Sequence, residues 1–170
     1  VSEQLLPGYY IRCGSTLERS LLVKFMQRTY QHLFPEQDFA HLARTVEQYF
    51  SRDTPLWWVD FSKEDGEEIT NSPAPIACLW VGNAIDQVQG DRHAHIFLLY
   101  VEPEHRRRGV GTALMRYIEN WATQRGDRQL GLQVFQSNQP ALNLYNQLGY
   151  QTQSLWMVKS LNTNKEETGV

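Results

Sequence analysis

Between Val101 and Met115 the chain reads VEPEHRRRGVGTALM, the segment whose residue types and spacing could do chemistry. Two glycines one residue apart, Gly109 and Gly111, let the backbone approach a ligand closely or adopt conformations closed to other residues. A helix is expected to start behind them, with its free N–H groups and positive dipole end directed at that ligand. Arg106, Arg107 and Arg108 add cationic charge, so the chemistry implied is the holding of phosphate. The expected ligand is a phosphorylated cofactor. A dinucleotide fingerprint would need a third glycine where Leu114 stands, and a P-loop would need a Gly-Lys-Ser/Thr ending that is absent.

The elements that must position this segment are read from periodicity. Strands are expected over residues 9–13, 56–61, 76–81, 95–101, 130–135 and 155–160. Leu17, Leu21, Phe25 and Met26 recur at helical spacing up to Phe34-Pro35. Asp38 is placed to cap a second helix with Phe39, Leu42, Ala43, Val46 and Phe50 on its apolar face. Residues 62–75 read as a polar, acidic loop. A helix over 109–125 carries Val110, Ala113, Leu114, Tyr117, Ile118 and Trp121 on one side and ends at Gly126. A short helix over 140–148 aligns Ala141, Leu144, Tyr145 and Leu148. Residues 1–161 therefore read as a single α/β domain with a mixed sheet, and 162–170 as a polar tail.

Composition bounds the function classes. The 170 residues are 41% hydrophobic and 21% charged, enough to bury a core and unlike a disordered tail or a disulfide-stapled miniprotein. A net charge of −3 argues against a nucleic-acid partner. The average conceals a cluster, because twelve of the 16 basic residues are arginines and six of those fall between Arg106 and Arg128. Cys13 and Cys78 have no CxxC or His-rich spacing and read as buried apolar residues in a reducing compartment. No signal peptide is visible, and the longest apolar runs, 76–81 and 96–101, are six residues each, too short to span a bilayer. The expectation is a cytoplasmic protein with no membrane partner and no metal.

With these elements in place, the glycine-arginine segment resembles the coenzyme A site of the GNAT (Gcn5-related) N-acetyltransferases. That family's R/Q-x-x-G-x-G/A after V-x-P is met by Val101, Pro103, Arg106, Gly109 and Gly111. Its second block, N-x-x-A-x-x-L-Y-x-x-L-G-F/Y, is met by Asn138, Ala141, Leu144, Tyr145, Leu148, Gly149 and Tyr150. By motif the resemblance covers about residues 93–160. It implies a mixed, mostly antiparallel central sheet flanked by helices. The implied order is one strand, two helices, three strands, helix, strand, helix and two closing strands.

Carried over residue by residue, the resemblance implies acetyl-CoA as co-substrate. The backbone of Leu99, Tyr100 and Val101 would pair with the pantetheine arm like an added strand. Arg106, Arg107, Arg108, Gly109, Val110, Gly111 and Thr112 would form the cradle, the amides of 107–112 holding the pyrophosphate. Asn138 would contact the cofactor near the pantetheine, and Tyr145 would place its hydroxyl near the thioester sulfur. The implied reaction is direct acetyl transfer to a primary amine of a small molecule or, as second choice, of a protein or peptide. The alternative is a non-catalytic acyl-CoA-binding or sensing module. Oligomeric state is left open, a homodimer included.

Acetyl transfer to an amine needs a neutral nucleophile, an oxyanion donor and a proton for the leaving thiolate. An alkyl amine of pKa about 10.4 is almost wholly protonated at pH 7, so a base or water relay is required. A backbone N–H of the strand ending at Val101 is the family's oxyanion donor. Tyr145 is the expected proton donor, with a core aromatic as its structural reading. His93 and His95, on one face of a strand, and Glu102 are the base candidates. Gln133 stands where relatives acting on protein N-termini often carry a Glu, and it cannot take a proton. Cys78 lies among apolar neighbours and reads as inert. Trp57, Trp58, Trp80, Phe97 and Trp156 are candidate walls of the acceptor site, with core packing as their competing role. Glu64, Asp65, Glu67 and Glu68 could attract a cationic amine or simply form a solvated loop.

Overall fold

The computed structural model describes residues 1–63 and 74–162, centred on one six-stranded sheet. The strands lie side by side in chain order: β1 (Ser2–Leu6), β2 (Tyr9–Cys13), β3 (Leu56–Phe61), β4 (Ala77–Ile85), β5 (Arg92–Val101) and β6 (Leu130–Leu132). Neighbours are antiparallel except β5 and β6. Helices α1 (Arg19–Leu33) and α2 (Leu42–Tyr49) follow β2, and α4 (Gln139–Gln147) follows β6. The parallel β5–β6 pair needs a crossover, which α3 (Val110–Arg125) supplies. The acidic residues Glu64, Asp65, Glu67 and Glu68 and nearly all of the expected tail lie outside the described residues.

Alternation along the strands sorts apolar side chains into two cores, one on each face of the sheet. On one face Ile11, Trp57, Val59, Leu79, Val81, Ala94 and Ile96 pack with Val110, Leu114, Met115, Ile118 and Ala122 of α3. On the other, Leu56, Trp58, Cys78, Trp80, Leu98 and Tyr100 pack with Leu22, Phe25 and Met26 of α1 and Leu42 and Val46 of α2. β5 contributes to both because its register slips. Trp80 pairs with Leu98 but Val81 pairs with Ile96, leaving Phe97 as an extra, bulged residue. One inserted residue inverts the faces, so Ala94 and Ile96 point to α3 whereas Leu98 and Tyr100 point to α1 and α2.

The same place is where the sheet opens. β6 pairs with β5 only at Ala94↔Leu130, His95↔Gly131 and Ile96↔Leu132. Beyond Ile96, β5 has a strand partner on its β4 side alone among the described residues.

Several expectations need correction. A strand, β1, precedes the expected first one, joined to it through Pro7-Gly8 with Gly8 at φ 83°. Proline followed by glycine is a turn signal, and here it closes a hairpin. Residues 155–160 form no strand; Leu155 and Trp156 are 70% and 83% exposed. Their apolarity alone does not make a strand where no sheet edge receives them. The expected strand over 130–135 stops at Leu132. Asp38 accepts the Ala40 N–H at 2.9 Å, but α2 starts only at Leu42, with His41 at its N-cap. Cys13 is exposed rather than buried. No helix among the described residues is long and apolar enough to cross a membrane.

Candidate functional site

The glycine-arginine segment forms the junction between β5 and α3. A 3-10 turn over Pro103–His105 leads into it, and Gly109 is the N-cap of α3 at φ 84°. The first helical bond runs from the Ala113 N–H to the Gly109 carbonyl at 3.0 Å. The N–H groups of Val110, Gly111 and Thr112 thus have no helical acceptor, as at every helix start. Arg107 adopts φ 60°, left-handed and uncommon outside glycine. Arg106, Arg107 and Arg108 are all exposed. Uncommitted amides at a dipole's positive end, with exposed arginines beside them, make a cradle able to take an anion.

The arginines are not equivalent. Arg106 turns back onto β5: its Nε donates to the Val101 carbonyl at 2.8 Å and its guanidinium covers the Tyr100 ring at 5.5 Å. Arg108 donates to the Tyr9 hydroxyl at 3.4 Å, and that hydroxyl lies 2.9 Å from Nδ1 of His105. The His105 ring also meets Phe61 at 4.8 Å. β2 and β3 therefore fasten the cradle at both ends of its loop. Tyr9, Phe61 and His105 were not singled out from sequence, because no local spacing links positions this far apart in the chain.

The second block, Asn138 to Tyr150, stands beside the cradle. A Cβ at Gly111 would lie 3.4 Å from Leu144 Cδ2, so α4 packs closely against the first turn of α3. Tyr145 is half-buried, and burial pushes its phenol up to about 12. Its ring lies 5.9 Å from that of Tyr150, whose hydroxyl donates to Glu119 at 3.0 Å. The Tyr145 hydroxyl itself has no hydrogen-bond partner among the described residues. Asn138 is the N-cap of α4, its Oδ1 accepting the Ala141 N–H at 3.4 Å. That task occupies the oxygen and leaves its amide N–H groups for a ligand. Leu99 is half-buried and Tyr100 buried, both in the length of β5 that β6 does not cover.

The base candidates separate by their partners. Glu102 forms an ion pair with Arg28 of α1 and accepts from the Tyr100 hydroxyl at 3.5 Å. His93 is 8% exposed, with Nδ1 2.9 Å from the Ala94 carbonyl oxygen. His95 is half-buried, at the last pairings before the sheet opens. Both imidazoles crowd Gly131, where a Cβ would meet His93 Cε1 at 3.0 Å and His95 Nδ1 at 3.1 Å. Gln133 is exposed, just past the end of β6. Cys78 is fully buried and burial pushes its thiol up, away from thiolate chemistry. Of the aromatic wall candidates, Trp57, Trp58 and Trp80 are core residues and Trp156 is 83% exposed without a strand around it. Phe97 alone lines the opening of the sheet.

Comparison with known proteins assigns the family of this fold. A profile of the acetyltransferase (GNAT) family matches residues 22–150. The chain belongs to the GNAT acetyltransferase family. It is 31% identical over 100 residues to an uncharacterised N-acetyltransferase of Methanocaldococcus jannaschii, covering 55% of this chain and 42% of that one. It is 33% identical over 90 residues to the ribosomal protein bS18-alanine N-acetyltransferase of Escherichia coli K12, covering 53% of this chain and 60% of that one. The matches thus span less than two thirds of either relative. A predicted acetyltransferase of Clostridium acetobutylicum, solved with acetyl-CoA, superposes with a TM-score of 0.67 at 19% identity, over 89% of this chain and 96% of that one. At that identity the likeness is one of fold.

Proposed function

We propose that this protein is an acetyl-CoA-dependent N-acetyltransferase that acts directly on a primary amine of a small molecule or peptide. The observation that carries the reading is continuity: the uncovered edge of β5 runs straight into the anion cradle at the start of α3. An extended, amide-bearing arm ending in a pyrophosphate fits that shape, with strand-type hydrogen bonds along the arm and helix amides at the phosphates. Acetyl-CoA has this build, and when bound it supplies the activated acyl group as a thioester. The residues toward it are Leu99, Tyr100 and Val101 along the arm, residues 106–112 at the phosphates and Asn138 beside the arm. Tyr145, a phenol that keeps its proton at neutral pH and is pushed further up by burial, is the donor to the departing sulfur.

One relative's name specifies an alanine of a ribosomal protein as acceptor. For this chain the exposed Gln133 and the lack of a carboxylate there favour a small amine over that substrate. The same Gln133 also favours the second reading, a non-catalytic acyl-CoA sensor. One experiment decides between them. Calorimetry should show coenzyme A binding, and an amine panel should release free thiol from acetyl-CoA. Binding without thiol release from any amine assigns the sensor reading, and no binding refutes both.

A further inference from the structure

The bulge of β5 does more than invert two faces. It places Phe97 on the sheet at the point where β6 stops pairing, and that ring is 37% exposed. The ring lies against Gly82 of β4, where any Cβ would come within 2.1 Å of its Cζ. Trp80 braces it edge-on at 5.0 Å from below, in the core shared with α1 and α2. Tyr49, at the end of α2 and 51% exposed, stands 6.3 Å away, and His95 stands 5.9 Å away. Two exposed rings and one imidazole therefore form a shelf at the vertex of the open sheet.

We propose that this shelf is the acceptor subsite, that it takes primary amines with an aromatic or apolar body, and that His95 removes the ammonium proton. The inference rests on the acetyltransferase reading and names its substrate class and base. Elimination supports His95, since Glu102 is engaged by Arg28 and Tyr100, and His93 is buried with Nδ1 bonded to the backbone. The His95 ring makes no hydrogen bond to another described residue. Facing it are His93 on its own strand, Gly82 of β4 and Gly131 of β6, with no carboxylate among them. Further along the strand Arg92 lies 4.0 Å from Asp127, a carboxylate already held by Arg125 at 2.6 Å and by the Ala94 N–H at 2.7 Å. Burial first, and then His93, hold the His95 imidazole below its usual range, so it is neutral and able to accept a proton at pH 7. The described residues in ring contact with Phe97, namely Tyr49, Trp80 and His95, offer no carboxylate to a polycation, whereas an aryl or alkyl body stacks on Phe97 and Tyr49.

The step balances simply. The acceptor's R–NH3⁺ gives one proton to His95 and becomes R–NH2. Its lone pair forms the C–N bond to the acetyl carbon as the C–S bond breaks and the sulfur keeps the bonding pair. The second nitrogen proton accounts for the thiol, through Tyr145, and His95 returns its proton to water.

The test compares 2-phenylethylamine, spermidine and an alanyl peptide as acceptors for the wild type, His95→Gln and Phe97→Ala. Coenzyme A affinity and calorimetric binding of 2-phenylethylamine to the coenzyme A-saturated protein are measured alongside. The wild type should prefer 2-phenylethylamine at least tenfold in kcat/KM. Phe97→Ala should weaken 2-phenylethylamine binding at least tenfold, with coenzyme A affinity unchanged. His95→Gln should lower kcat/KM at pH 7 at least tenfold and shift the acidic limb of the pH profile toward the amine's own pKa. Preference for spermidine or the peptide, or equal losses for all acceptors in Phe97→Ala, overturns the subsite. An unshifted pH profile in His95→Gln overturns the base. Failure of the wild type to bind coenzyme A overturns instead the function on which the inference rests.

Discussion

The Tyr9 hydroxyl lies 2.9 Å from Nδ1 of His105 and 3.4 Å from Nη1 of Arg108, so one phenol on β2 spans the loop that leads into α3. Phe61 of β3 holds the same imidazole from another side at 4.8 Å. The cradle is thus shaped by the sheet as well as by its own glycines. Replacing Tyr9 with Phe removes both hydrogen bonds and keeps the ring packing. Each such bond contributes about 1 kcal/mol, which corresponds to an expected rise of about 5–30-fold in the coenzyme A dissociation constant. Calorimetry checks this, and kcat at saturating acetyl-CoA should stay at the wild-type value.

Gly109 and Gly111 should respond differently to alanine. Gly109 sits at φ 84°, so alanine there costs about 1–2 kcal/mol in backbone strain. Gly111 has no positive φ, and its added Cβ would meet Leu144 Cδ2 at 3.4 Å, an ordinary contact. Alanine at that helical position should leave stability unchanged or raise it by up to about 1 kcal/mol. Denaturant unfolding of the two variants measures the contrast. Equal destabilisation would contradict the assigned geometry.

Tyr145→Phe tests the proton donor. The hydroxyl has no hydrogen-bond partner among the described residues, so its removal should cost no stability. Loss of a positioned acid should lower kcat about 100-fold while the KM for acetyl-CoA changes little. Steady-state kinetics with both substrates varied separates the two, and an unchanged kcat removes Tyr145 from the chemistry.

Asp127 links the end of α3 to the vertex of the open sheet. Its side chain, 2% exposed, accepts from the Ala94 N–H at 2.7 Å and from Arg125 at 2.6 Å. Burial alone would raise this carboxyl, but the hydrogen bonds from Arg125 and Ala94, with the charges of Arg125 and Arg92, outweigh it and hold it below its usual range. A depressed acid stabilises the fold fully above its unfolded pKa of about 3.9 and loses that contribution as the pH falls through the lower folded value. Asp127→Asn should therefore lower stability at pH 7 by about 1.5–3 kcal/mol and flatten the pH dependence below pH 4, as read by thermal melts.

How much was legible follows from how local each signal is. Helices α3 and α4 and the cradle between β5 and α3 were readable because amphipathic spacing, glycines and arginines occur within a few residues of one another. In α3 the expected face held for Val110, Leu114 and Ile118, but Met115 and Ala122 are buried as well, because α3 crosses the sheet with a wider face than the pattern showed. β1 was missed since Ser2-Glu3-Gln4 is polar and its pairing depends on β2. The apolar run over 155–160 misled for the opposite reason: hydrophobicity was present and a partner edge was not.

The sequence by itself determined the family, the order of most elements and the glycine-arginine junction before α3, because each is written in contiguous residues. Only the tertiary structure decided which base candidate stands free, since that depends on Arg28 reaching Glu102 from α1 and on His93 being sealed into the sheet. It alone showed that Phe97 is the bulged residue where the sheet opens. A register slip is a property of two paired strands, and no single strand's pattern encodes it.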